Sequence, residues 1–162
     1  MSYYSLQKQI YNNKIERKFN VTDIGKELNL MSEELSELSE AMDNNNLEGI
    51  IDAVGDLFIY VLGLCEMFKV NSDEKIMYAP IEENQDIYLR RLVKETGLIA
   101  KTLKKSNKNP VEYIDRRDEF VIHIGKLMGY CIKNLEFINQ DPKDVIYSII
   151  NNNKARTHEG KI

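Results

Sequence analysis

The chain has 162 residues, of which 43% are hydrophobic and 30% charged, with 8 Gly, 3 Pro and a formal net charge of -4. That length is enough for one domain with a sizeable core, and so few helix breakers suit an all-α fold rather than disorder or a β architecture. The negative balance excludes the basic surface that neutralises a polynucleotide, so no nucleic-acid polymer is expected as a partner, while a single nucleotide presented through a metal ion stays compatible.

The amino-terminal MSYYSLQKQIYNNKIERKF has no apolar signal region. The longest apolar run, LFIYVLGLC, is too short to span a bilayer, so a cytoplasmic protein without membrane attachment is expected. Residues 3–18 form a first helix, and Thr22 or Asp23 caps the second. Leu28, Met31, Leu35, Leu38 and Met42 recur at spacings of three and four, the core-facing stripe of an amphipathic second helix. It ends at DNNN, where Asn46 caps a third helix running from Leu47 to near Lys69; so short a connection folds the two helices into an antiparallel hairpin. Residues 71–85 read as a linker. Leu89, Leu92, Ile99 and Leu103 mark a fourth helix. NPVE at 109–112 then supplies Asn109 as cap, Pro110 at the first helical position and Glu112 three residues after the cap, opening a long fifth helix that ends near Ile138. Asp141 and Pro142 repeat that start signal for a short sixth helix, which runs into NNNKARTHEGKI. Cys65 and Cys131 lie in apolar runs with no metal-ligand spacing and read as reduced core residues.

The third and fifth helices align with each other. GDLFIYVLGLCEMF at 55–68 matches GKLMGYCIKNLEFI at 125–138, pairing Gly55 with Gly125, Leu57 with Leu127, Tyr60 with Tyr130 and Glu66 with Glu136. In the preceding helices Glu34 falls on Glu95, Leu38 on Ile99 and Met42 on Leu103. Chance likeness between amphipathic helices competes with a true repeat, and the shared Gly and Tyr favour the repeat. The reading is one domain over 1–162: a four-helix-bundle core of two degenerate helical hairpins, 22–70 and 86–139, with an extra amino-terminal helix and a carboxy-terminal basic tail at 142–162. Glu37 corresponds to Leu98 and Asp56 to Lys126, so only the first hairpin keeps a carboxylate cluster.

That cluster is the chemical signal. Asp56 sits mid-helix in GIIDAVGDLFIYVLGL, apolar on nearly every side, and a carboxylate taken from water there needs a partner or a metal. Glu34 and Glu37, three apart, share one side of the second helix, and Asp52 and Asp56 stack one turn apart on the third, with Gly49 and Gly63 leaving room beside them. Glu33 and Glu40 point outward into solvent. For Asp52 and Glu37 a solvated face and a place in the site are both open. Converging carboxylates without His or Cys suit Mg²⁺, with Mn²⁺ as the alternative, and such an ion anchors phosphates.

EELSELSEA followed by IIDAVGDLFIYVLGL resembles the MazG-like all-α nucleoside triphosphate pyrophosphohydrolases, the superfamily that includes the dimeric dUTPases. Glu33, Glu34, Glu37 and Asp56 match its EExxE and ExxD signature, whereas Ala53 stands at the first acid of ExxD, with Asp52 the nearest candidate to replace it. The resemblance implies Mg²⁺ held by Glu34, Glu37, Asp52 and Asp56, with Glu34 or Glu37 as the catalytic carboxylate that orients or deprotonates water. The implied reaction is hydrolysis of a nucleoside triphosphate to the monophosphate and pyrophosphate. It also implies substrate-phosphate contacts from an Asn and Lys tail, here Asn151, Lys154 and Lys161, and a homodimer in which hairpin faces are buried between subunits. The alternative is a catalytically degenerate bundle that binds a nucleotide or a protein, made plausible by Ala53. A di-iron bundle needs Glu-x-x-His pairs, which neither His123 nor His158 supplies, and His123 reads as a structural residue at the core edge.

Overall fold

The computed structural model describes residues 1–106 and 115–156. Among them every regular element is a helix: α1 (Tyr3–Glu16), α2 (Ile24–Asp43), α3 (Leu47–Met67), α4 (Ser72–Lys75), α5 (Gln85–Lys105), α6 (Arg117–Phe137) and α7 (Pro142–Lys154). None of the described helices is long and apolar enough to cross a membrane.

The caps agree with the sequence. Asp23, rather than Thr22, caps α2, its side chain accepting from the Lys26 N–H at 3.3 Å. Asn46 does the same for α3 through Gly49 at 3.0 Å. Asp141 caps α7 through Lys143 and Asp144, with Pro142 opening the helix. Asn45 takes the left-handed conformation, φ 50°, that lets DNNN reverse the chain in so few residues.

Two elements differ from expectation. The linker contains α4, capped by Asn71 and tied to α1: the Asp73 carboxylate accepts from the Tyr3 and Tyr4 N–H groups at 3.2 and 2.8 Å, and Gln7 Oε1 accepts from the Ser72 N–H at 3.1 Å. A carboxylate at the exposed amino end of α1 meets its orphan donors and dipole, so α4 is set by a contact seventy residues away in sequence. The start signal at Asn109, Pro110 and Glu112 lies outside the described residues. No helix runs unbroken from there into α6, because Asp115 and Arg116 are non-helical and Arg116 has φ 59°.

The hairpin α2–α3 packs against the hairpin α5–α6, with α3 on α6 and α2 on α5, while α1 and α7 cover the outer side of α3. This is the expected four-helix core with added terminal helices. Surrounded in this way, α3 buries residues on all sides; Val54, Phe58, Val61, Leu62, Leu64 and Cys65 are fully inaccessible. Cys65 and Cys131 are free thiols within this core, as expected. The shared glycines do the same job in both hairpins. A Cβ on Gly55 would lie 2.5 Å from Ile149 Cδ1 and 2.9 Å from Val145 Cγ1 of α7. One on Gly125 would run into the Lys75 carbonyl, where the Met77 N–H donates to the Gly125 carbonyl at 3.1 Å. Each glycine lets a crossing segment approach the helix backbone.

The apolar hairpin faces on which a dimer was expected are thus covered within one chain. Exposed apolar surface is left elsewhere, at Tyr78 (84%) and Ile81 (75%) of the linker. His123 sits where expected, at the edge of the core, with Nδ1 3.1 Å from Glu95 Oε2. Glu95, which the sequence alignment of the two hairpins pairs with Glu34, thus has an imidazole partner.

Candidate functional site

A cavity of about 400 Å³ opens between α1, α2, α3 and the end of α7. Its acidic wall is Glu27, Glu33, Glu34 and Glu37 of α2 with Asp56 of α3. Facing these are Asn13, Lys14 and Arg17 of α1 with Asn153 and Arg156 at the end of α7. Ile10, Leu30, Ile59, Tyr60 and Ile150 supply apolar surface between them.

The hairpin turn sets the acids opposite one another. α2 turns Glu34 inward with Met31 and Leu38, and α3 brings Asp56 alongside, so both are largely withdrawn from water. Burial, then the charges of Asp56 and Glu37, push Glu34 up to about 8; a hydrogen bond to Glu37 adds to the shift. Burial, then the charge of Asp52, push Asp56 up to about 6, against the opposing pull of Arg156. Glu37 and Glu33 are exposed at the rim. Asp52 is on the exposed side of α3, outside the cavity lining, and acts on Asp56 through its charge.

Part of this arrangement fits a hard divalent cation. Glu34 Oε2 is buried without a hydrogen-bond partner, and neighbouring carboxylates raise one another's proton affinity, a repulsion that a cation relieves. The donor set is not gathered, however. Among the described residues no three His, Cys, Asp or Glu side chains come together as a metal-holding group. Ala53, where ExxD has its first acid, is buried and has no donor to offer.

The glycines expected to leave room beside the acids serve other neighbours. A Cβ on Gly49 would lie 3.0 Å from the Ala41 Cβ, so Gly49 permits the close approach of α2 and α3. One on Gly63 would lie 3.2 Å from Lys14 Nζ. Lys14, itself buried, donates to Glu27 Oε1 at 2.5 Å and has Nζ 5.9 Å from the Tyr60 ring centroid.

The basic wall departs from the sequence expectation. Ile146 and Ile150 define the buried face of α7, and Asn153 continues it, so Asn153 and Arg156 reach the cavity. Asn151 and Lys154 are exposed at the helix surface and are not among the residues that line the cavity. Lys161 lies outside the described residues. Lys14 and Glu27 are cavity residues that the sequence pattern did not single out, although each interrupts an apolar stripe, Lys14 after Leu6 and Ile10, Glu27 between Ile24 and Met31. The same anomaly that marks Asp56, a charge on an apolar face, marks both.

Comparison with known proteins falls on this half of the molecule. Residues 5–79, which are α1 to α4 and just under half of the chain, match the family model of phosphoribosyl-ATP pyrophosphohydrolase, a family of the MazG-like superfamily that the EExxE pattern resembles. An uncharacterized protein of Acanthamoeba polyphaga mimivirus is 41% identical over 56 residues, 35% of this chain and 22% of that protein. The chain therefore matches only about a fifth of that relative's length. No solved structure matches.

Proposed function

We propose that the protein is a Mg²⁺-dependent nucleoside triphosphate pyrophosphohydrolase, cleaving the bond between the α and β phosphates to give a nucleoside monophosphate and pyrophosphate. One observation carries this reading: desolvated Glu34 and Asp56 share a cavity with Lys14, Arg17 and Arg156, so metal-binding oxygens and phosphate-binding cations face the same space. The matching family supports it, being by name a pyrophosphohydrolase of a nucleotide that carries a triphosphate.

Glu34, Glu37 and Asp56 would hold Mg²⁺ or Mn²⁺, which supplies charge neutralisation and polarisation of a phosphoryl oxygen. Glu37, exposed at the rim, or Glu34 accepts a proton as water attacks phosphorus and the bridging P–O bond breaks. Arg17 and Arg156 offset the charge that develops on the departing pyrophosphate. Tyr60 and the isoleucines of the cavity wall exclude bulk water, which strengthens these interactions.

The test is pyrophosphate release from a panel of nucleoside triphosphates, with Mg²⁺ and with chelator. Metal-dependent monophosphate and pyrophosphate are expected; orthophosphate and diphosphate as first products overturn the assignment. A second reading has Ala53 and the ungathered acids in its favour: a degenerate bundle that binds a nucleotide, or a protein, without turning over. Nucleotide binding with no turnover of any triphosphate would select it.

A further inference from the structure

The proposed hydrolysis gives no part to the cavity's most deeply buried acid. Glu27 is 1% exposed. Its Oε1 accepts from Lys14 Nζ at 2.5 Å and from Asn20 Nδ2 at 3.2 Å. Asn20 is itself fixed, its Oδ1 accepting from the Thr22 and Asp23 N–H groups at 3.3 and 3.0 Å, so the loop between α1 and α2 sets Glu27 against Lys14. Glu27 Oε2 is buried and has no hydrogen-bond partner. A buried ion pair stabilises a fold only when its remaining lone pairs are also satisfied, so stability is a poor account of this one.

Lys14 shares the cavity with other acids. Glu27 is seven residues before Glu34 on α2, and Gly63, next to Lys14 Nζ, is seven after Asp56 on α3; each interval is a rise of roughly 10 Å. Tyr60 stands between the two ends. Its ring centroid is 5.9 Å from Lys14 Nζ, and burial, then the charges of Glu34, Asp56 and Glu27, push its hydroxyl up. The flexible four-carbon stem of a lysine sweeps a span of this order. An ammonium released from Glu27 would thus meet Glu34 and Asp56, both largely withdrawn from water, and Glu34 Oε2 has no hydrogen-bond partner. There it would occupy the oxygens that a cation needs. We propose that Glu27 is a positioning residue that holds Lys14 as a phosphate donor at its own end of the cavity and keeps it off Glu34 and Asp56. The proposal rests on the reading of those two acids as cation ligands, and in it Glu27 touches neither cation nor substrate. Lys14 serves substrate while so held, because one of its three N–H groups goes to Glu27 and the others remain for phosphate.

Calorimetric titration of the full chain with MgCl₂ tests the proposal. Glu27→Gln keeps the shape and an acceptor, but an amide is a weaker partner for an ammonium than a carboxylate, so Lys14 is expected to move to Glu34 and Asp56. If that leaves about a tenth of the molecules with both acids open, Mg²⁺ binds about tenfold more weakly than to wild type. Lys14→Met/Glu27→Gln has no ammonium left to move and should recover the wild-type affinity. Loss of one negative charge weakens Mg²⁺ by itself, and double-mutant cycles in chelator separate the two causes. In the Glu27→Gln background, the effects of Lys14→Met on the urea midpoint should be non-additive with those of Glu34→Gln or Asp56→Asn, as for residues in contact. Wild-type Mg²⁺ affinity in Glu27→Gln overturns the proposal, as does a loss that Lys14→Met does not recover, or additivity with both acids. So does a Glu27→Gln chain that unfolds in chelator while the double variant folds, since Lys14 then has no second partner. A wild type that binds no Mg²⁺ overturns the metal reading too, whereas the expected Mg²⁺ pattern without pyrophosphate release strikes the hydrolase reading alone.

Discussion

Lys14 and Asp56 each sit on an apolar helix face, yet the structure answers their charges differently. Lys14 already has Glu27, so Lys14→Met strands a buried carboxylate and should destabilise the fold by about 3–5 kcal/mol, measurable by urea unfolding. Among the described residues, Asp56 has the pull of Arg156 against burial and like charge. Asp56→Asn should therefore be at least as stable as wild type in chelator, gain much less in melting temperature from Mg²⁺, and lose nearly all turnover. A destabilised variant with the full Mg²⁺ shift would show Asp56 to be structural. Proton linkage gives a further check. The folded state raises Glu34 to about 8 and Asp56 to about 6 from ordinary values of 4.5 and 3.8, so it binds these protons more tightly than the unfolded chain. Their stabilising contribution is complete below those ordinary values and is lost as pH rises through about 6 and then about 8. In chelator, wild type should thus lose melting temperature relative to Glu34→Gln between these two limits; parallel pH profiles of the two proteins would contradict the shift. The sequence drew attention to Asp56 because an acid among apolar neighbours is a local anomaly, and to Glu34 and Glu37 through their spacing on one side of the second helix and the EExxE pattern. Arg156 and Asn153 were not legible, since their place depends on which face α7 turns to α3.

At the scale of elements, caps and stripes were legible because both are local, and α4 was not because Asp73 finds its partners on α1. Glycines show the same division. Gly55 and Gly125 stand out as a repeated pair, but only the packing explains them, and it adds Gly129, whose Cβ would run into the Met77 carbonyl. Gly129→Ala should push the 75–79 strap off α6 and cost about 1–3 kcal/mol, with faster proteolysis near Tyr78. Gly97, on the exposed face of α5, has nothing within 4 Å of a Cβ, so Gly97→Ala should instead stabilise by about 0.5–1 kcal/mol through helix propensity. Thermal melting of the two variants separates close packing from backbone freedom as the reason for glycine; equal effects would refute the distinction.

For the whole molecule, the question is what the second hairpin is for, given that the acidic cluster and the family match both belong to the first. The packing gives an answer. α3 rests on α6 through Cys65 Sγ, 3.6 Å from Met128 Sδ, and through Phe68, whose ring centroid is 5.2 Å from that of Phe120. Arg117 also donates to the Phe68 carbonyl at 2.5 Å. A chain cut after residue 79 would bare this face of α3, a contiguous apolar surface of the kind that soluble monomers do not leave exposed. If α5–α6 is a degenerate copy of α2–α3, a second fragment can lay its own hairpin where α5–α6 lay, an exchange of equivalent elements that makes a symmetric dimer. Fragment 1–79 should therefore sediment as a dimer at micromolar concentration, with a melting temperature that rises with concentration. The full chain, its α3 already covered, should show no such dependence through this face. A fragment that melts cooperatively as a monomer would mean that α3 needs no partner hairpin, and the likeness of 55–68 to 125–138 would then be the chance likeness of two amphipathic helices.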